Sequence, residues 1–308
     1  MDGPLEPRAR AEERERRALS PWASLAAESK GRDRAEPPDP LRTAFAVDRD
    51  RLAADAHVAV LAGRRARLDE PRSRLQRALL VGALARGLAR ALALNEDLVD
   101  AIALARPLGT LPLAEGGEQA AATVLDGGLS VPEQSLRVVE RLAAQGQGLN
   151  LTWEVRDGIL AQQRDGARTR EGQTVVLAEE VLDAAERWAV ARAPLPPAAD
   201  GWVRPGCAPV ELAGALLGDV ASHTREDDAL RFGPRGATVM GELRAARQAA
   251  TASPARRDRA AHVVAALLVH EAEQADGDAQ QAVDRVGGLT DAQALAAHRE
   301  RFEPDLSD

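Results

Sequence analysis

Apolar positions along this chain recur at helical spacing and almost nowhere in strict alternation. Over residues 73–94, at about 100° per residue, Leu80, Leu84, Leu88 and Leu92 fall on one stripe, with Arg86 and Arg90 opposite. That pattern predicts an amphipathic helix buried along one face. Arg77 breaks it, because it lands in the middle of the Leu stripe, where a guanidinium must snorkel to water or meet a carboxylate. A second helix is predicted from Asn95, whose side chain suits an N-cap, with Glu96 and Asp97 at the positive helix end. Its apolar face is Val99, Ile102 and Ala103, and Pro107 ends it. Further amphipathic segments lie at 133–142, after a candidate N-cap at Thr152, and from Glu171 to about Arg192, with Leu177, Val181, Ala185 and Trp188 on one side. Helical patterns resume at about 210–222, 238–252, 256–273 and 279–286. The fold class predicted is all-α.

Composition sharpens this picture. The 308 residues suffice for a real core. Hydrophobic residues make up 45%, but aromatics only 2%, with no Tyr, so closely packed helices of Ala, Leu and Val are favoured over sheets. Residues 1–40, dense in Arg, Glu and Pro, are expected to form a largely disordered tail. Residues 41–193 read as a helical core, 194–209 as a Pro/Gly connector, and 210–308 as a C-terminal helical portion packed on that core.

A net charge of −8 gives no general attraction to nucleic acid or to anionic membranes. The single cysteine, Cys207, excludes an internal disulfide and a Cys-based zinc site, and no His adjoins it to make a nucleophile. No apolar run reaches 18 residues and no leader-like segment is present, so a cytoplasmic protein without a membrane partner is expected. The sequon Asn150-Leu151-Thr152 then reads as accidental.

The side chains by themselves offer little chemistry. His57, His223, His262, His270 and His298 are dispersed. His262 and His270 share a face, but metal-ligand pairs on helices sit four apart or closer, so a helix-surface role is preferred. Glu115, Glu118, Glu179 and Glu180 could hold Mg²⁺ through oxygens alone, although scattered acids in an acidic chain are ordinarily solvated. The glycine pairs 116–117, 127–128 and 287–288 lack a preceding strand and a following Gly-Lys-Ser/Thr, so they read as turns and helix ends.

Several segments together resemble the dGTPase-like branch of the HD phosphohydrolase superfamily. They are RSRL at 72–75, NEDLVDAIALA at 95–105, EQSLRVVERL at 133–142, GLNLTWEVRDGIL at 148–160 and GLTDAQAL at 288–295. Weaker likeness begins at Ser20-Pro21-Trp22 and runs on through 37–43 and 48–51. The resemblance implies an HD-domain helical core with a C-terminal helical extension. It also implies metal-dependent cleavage of deoxynucleoside triphosphates into nucleoside and triphosphate, commonly by an oligomer. In that family a His, a His-Asp pair and an Asp hold the metal.

The frame is kept and those donors are not. Arg77 stands where the family has its first metal-binding His, and Arg106-Pro107 where it has His-Asp. Thr110, Glu115 and Val131 stand where it has further histidines, and Glu179 where the last ligand, an Asp, belongs. The family's H-D-x-D-D run is Glu186–Val190 here, and the paired arginines of its F-R-R-L segment are Ala59 and Val60. A guanidinium is always protonated and has no lone pair to give a metal. Arg77 and Arg106 are therefore expected to form an ion-pair cluster with Glu179 or Glu115 in the old metal cavity, with no catalytic residue and no cofactor. The expected role is a non-catalytic binding, regulatory or assembly subunit, as a homo-oligomer or beside an active relative, with dNTP binding without turnover left open. The alternative is an active phosphohydrolase using a remodelled carboxylate site and Mg²⁺ or Mn²⁺. A nucleic-acid-responsive module is disfavoured by the acidic charge and scarce aromatics.

Overall fold

The computed structural model describes residues 6–162, 166–225, 229–247 and 253–303. In chain order the helices are α1 (Pro7–Ala18), α2 (Ala44–Ala54), α3 (Ala56–Val60), α4 (Arg74–Ala91) and α5 (Glu96–Ala105). Next come α6 (Glu115–Val124), α7 (Val131–Arg137), α8 (Ala143–Gly146), α9 (Trp153–Ile159) and α10 (Arg170–Val190). The last are α11 (Pro209–His223), α12 (Pro234–Arg247), α13 (Pro254–Glu273), α14 (Ala279–Val286) and α15 (Asp291–Phe302). The described residues contain no strand, only isolated bridges such as Arg32 with Thr152. The fold is all-α, and none of these helices is long and apolar enough to cross a membrane.

Two compact units emerge, each discontinuous in sequence. The first takes the described residues of Met1–Asp50, Leu79–Ala103 and Asn150–Thr251; the second takes those of Arg51–Ala78, Leu104–Leu149 and Ala252–Asp308. This partition cuts across the contiguous blocks expected from composition. Helices α11 and α12 pack with α10, whereas α13 packs with α14, α15 and α6. Apolar faces meet in space without regard to chain order. The second unit's core joins Leu111, Ala120, Ala121, Val264, Leu267 and Val283.

Helix α4 buries a different stripe from the one the leucines suggested. Its buried positions are Ala78, Val81, Gly82, Ala85, Leu88 and Ala89, while Leu80, Leu84 and Leu92 are half-buried and Leu79 is 55% exposed. Small side chains let α5 come close: a Cβ on Gly82 would lie 3.3 Å from Asp100 Oδ1 and 3.6 Å from Ala103 Cβ. Arg77 thus falls at the edge of the buried face, half-covered. Arg86 does not simply face water, because it pairs with Asp100 at 2.9 Å. Asn95 caps α5 as expected, its Oδ1 accepting from Leu98 N at 3.3 Å. The helix stops at Ala105, two residues short of Pro107.

The described residues 6–40 are more ordered than their charge suggested. Helix α1 carries i,i+4 ion pairs, Arg8 with Glu12 at 2.6 Å and Arg17 with Glu13 at 2.8 Å. The segment after it is fastened by carboxylates. Glu15 accepts from Ala26 N (2.8 Å), Glu171 from Ser24 N and Oγ (2.9 Å each), and Glu154 from Lys30 N (2.8 Å) and Ser29 Oγ (2.7 Å). Arg32 binds Asp48. Local composition cannot register such partners, which lie up to 147 residues away.

Thr152 precedes α9, but its side chain makes no cap bond; the hydroxyl donates to Asp48 Oδ2 at 2.7 Å instead. The predicted helix at 133–142 begins as α7 and passes into a π-helical turn at Val138–Leu142. Gly148 follows at φ +72°, where a Cβ would overlap the Glu140 carbonyl. The expected helix at 238–252 is α12, with 248–252 outside the described residues.

Two predictions follow from this packing. Gly158 on α9 faces the fully buried Ile102, and a Cβ there would stand 2.6 Å from Ile102 Cδ1 and Cγ1. Gly158→Ala should therefore cost about 1–3 kcal/mol by overpacking, read as a lower urea midpoint; an unchanged midpoint would refute the close approach. The second concerns pH. Burial pushes the carboxyls of Glu15, Asp48, Asp97, Asp100 and Glu171 above their ordinary values of 4.5 for Glu and 3.8 for Asp. Such groups hold protons more tightly folded than unfolded, so their contribution is full at low pH and is lost as pH rises through the raised values. Asp39, held down by Arg42, has the opposite sign and weakens the fold only as pH falls through about 3.8. The melting temperature should therefore fall as pH rises beyond the ordinary carboxyl values of 3.8 and 4.5. A monotonic rise toward pH 8 in calorimetric scans would contradict this assignment.

Candidate functional site

Of the positions picked from sequence, Arg106, Pro107 and Thr110 lie in the loop that leaves α5. Arg106 is only 6% exposed, and its carbonyl accepts a hydrogen bond from Ser135 Oγ at 2.7 Å. The same oxygen accepts from Gly109 N at 2.8 Å, so one fully buried hydroxyl on α7 fixes both ends of the turn. Gly109 has no room for a side chain, because a Cβ would overlap the Val131 carbonyl and the Ser135 amide. Thr110 closes the turn on Pro107, donating from N (3.2 Å) and from Oγ1 (2.8 Å) to the Pro107 carbonyl. Val131 is half-buried at the start of α7, whose N-cap Ser130 accepts from Glu133 N at 3.3 Å.

Beyond the turn the anchors are charged. Arg64, 2% exposed, donates to the carbonyls of Thr110 (2.5 Å), Leu289 (2.8 Å) and Gly287. Burial, with Arg74 nearby, lowers its pKa to about 10, which leaves it cationic at neutrality. Asp291 accepts from Leu113 N at 2.7 Å and Arg65 N at 2.9 Å, holding Leu113 and Ala114 at positive φ (62° and 49°) ahead of α6. Glu115 accepts from Leu68 N at 3.0 Å. Burial also depresses the Arg74 guanidinium; Glu118 at 3.8 Å and Glu115 oppose the shift, while Arg77 adds to it. Sequence reasoning missed Arg64 and Arg74 as anchors. Position 74 lies inside the RSRL segment, but nothing local distinguishes a buried arginine from the chain's many exposed ones.

The donor set does not fit a divalent cation. Two of its positions are guanidinium groups, one is a proline, and the Thr110 hydroxyl already donates to a carbonyl. Glu179, the one carboxylate at a family ligand position, lies half-buried on α10 in the other unit. Neither arginine stands open to solvent, since Arg106 is buried and Arg77 half-buried. The other acids have partners too: Glu180 pairs with Arg244 at 2.5 Å. Among the described residues no group of three His, Cys, Asp or Glu is placed to hold a metal ion.

The remaining candidates resolve into structure. His262 meets His298 edge-on at 5.8 Å, while His270 meets Phe302 at 5.8 Å, so the eight-residue spacing sends the two rings to different partners. His57 Nδ1 sits 2.9 Å from Asp55 Oδ1. Burial and Glu211 push the Cys207 thiol up, away from the reactive thiolate. Gly116 and Gly117 are not turn residues as expected. They lie in α6, where Gly116 lets that helix press against Ala260 of α13.

The fold is an all-α scaffold consistent with an HD-type helical domain. The comparisons agree on the scaffold. No protein-family model matches the chain. A Deoxyguanosinetriphosphate triphosphohydrolase-like protein of Caldanaerobacter subterraneus subsp. tengcongensis is 34% identical over 336 aligned residues, covering 95% of each chain. Proteins of the same name from Ralstonia nicotianae (36% over 249 residues; 73% of this chain, 62% of the relative) and Desulfatibacillum aliphaticivorans (40% over 184 residues; 54% and 52%) are also similar. The chain belongs to the deoxyguanosinetriphosphate triphosphohydrolase-like family.

The turn supplies its own test. Ser135→Ala should destabilise the protein by about 1–3 kcal/mol, because a buried N–H and a buried C=O both lose their partner. A loss below about 0.5 kcal/mol in chemical denaturation would show that the turn does not depend on this hydroxyl.

Proposed function

We propose that this chain is a non-catalytic member of its family, which keeps the scaffold and acts by binding or assembly. The observation that carries this reading is the pair of arginines at positions 77 and 106, with Arg106 buried in the pinned turn. Metal-dependent hydrolysis needs lone pairs that grip a cation so that the cation can lower the pKa of a bound water. A guanidinium repels that cation. In this reading Arg77 and Arg106 provide the positive charge that a metal would bring, which favours a bound polyanion while leaving no nucleophile. The chain then works as a homo-oligomer or beside an active relative, with deoxynucleoside triphosphate held but not cleaved.

Purified protein incubated with each dNTP in Mg²⁺ or Mn²⁺ should release no tripolyphosphate above the buffer rate, and elemental analysis should find no stoichiometric divalent ion. Turnover that Glu179→Ala abolishes would overturn the proposal and support the carboxylate-site enzyme. Separately, dNTP should raise the melting temperature by the mass-action relation for a ligand that binds only the native state. Arg106→His with Pro107→Asp, which restores lone pairs at two positions, should measurably raise divalent-ion affinity.

A further inference from the structure

The first unit contains a cavity of about 490 Å³ that the proposed function does not use. One wall is the segment following α1, with Leu19, Ser20, Pro21 and Trp22; another is the end of α4 and the residues after it, from Ala91 to Leu94. Ser20 N donates to the Ala93 carbonyl at 2.8 Å and ties these walls together. Arg170, at the first turn of α10, and Thr224, Arg225 and Leu230 complete the lining. Cavities of this size enclose small molecules.

The lining has a definite chemical bias. Its body is alanine, leucine, proline and an indole face, and its polar side chains are the hydroxyls of Ser20 and Thr224 and the guanidinium groups of Arg170 and Arg225. Among the described residues no carboxylate lines it. The Arg170 guanidinium lies 5.9 Å from the Trp22 ring and donates to Gln173 Oε1 at 3.1 Å, a neutral acceptor. In the same wall the Ser20 hydroxyl and the Trp22 indole N–H are buried with no hydrogen-bond partner among the described residues. Apolar walls beside a cation complement one ligand type. We propose that this cavity binds a small organic anion, with its charged head at Arg170 and a flat apolar body against Trp22.

The test uses 8-anilino-1-naphthalenesulfonate, which carries such a head and body, against its uncharged analogue N-phenyl-1-naphthylamine. The sulfonate should bind the native protein saturably at one site per chain, at least about tenfold more tightly than the neutral dye. Arg170→Gln should erase that preference, weakening the sulfonate about tenfold and leaving the neutral dye unchanged. Ala91→Trp, at an exposed rim position, should fill the cavity and abolish both signals, and Leu230→Trp serves as the second filling variant if the first fails to melt cooperatively. The proposal is overturned if the native protein shows no saturable binding, if the two dyes bind equally, or if the affinities ignore both the charge-removing and the cavity-filling substitutions.

Discussion

One buried hydroxyl governs the centre of this protein. Ser135 Oγ donates to the Arg106 carbonyl and accepts from the Gly109 amide, which closes the turn after α5 against α7. Without it two buried backbone groups would lose their partner. The turn in turn sets the Thr110 carbonyl where Arg64 can reach it, and Arg64 gathers the carbonyls of Gly287 and Leu289 at the far end of the chain. A chain of hydrogen bonds thus binds sequence positions separated by 225 residues into one unit.

In both units charged side chains satisfy backbone groups. In the first, carboxylates serve as acceptors for backbone amides of the early segment, as Glu171 does for Ser24 and Asn95 and Glu154 does for Lys30. In the second, arginines serve as donors to backbone carbonyls, with Arg64 the clearest case. Either solution satisfies many backbone groups with one side chain, at the expense of desolvating an ion. The raised carboxyl pKa values and the lowered Arg64 value are two signs of that same expense.

The turn after α5 is held largely through backbone atoms. The hydrogen bonds that close it use the Ser135 hydroxyl, the Gly109 amide, the Thr110 hydroxyl and the carbonyls of Arg106 and Pro107. Across 95% of the chain, 34% of positions are identical to those of a relative in this family.

The sequence by itself determined the helical class, most helix positions, the Asn95 cap and the family frame. These depend on short-range periodicity and on runs of residues that can be matched one by one. It also exposed the arginines at 77 and 106, because a guanidinium's lack of lone pairs is a property of the side chain alone. Only the tertiary structure decided which face of α4 is buried, that Thr152 serves Asp48 rather than its own helix, and that the early charged segment is fastened to buried carboxylates. The two discontinuous units and the cavity beside Trp22 belong there too. Each depends on partners far apart in sequence, and solvation of a charged side chain is a property of its surroundings that spacing along the chain does not encode.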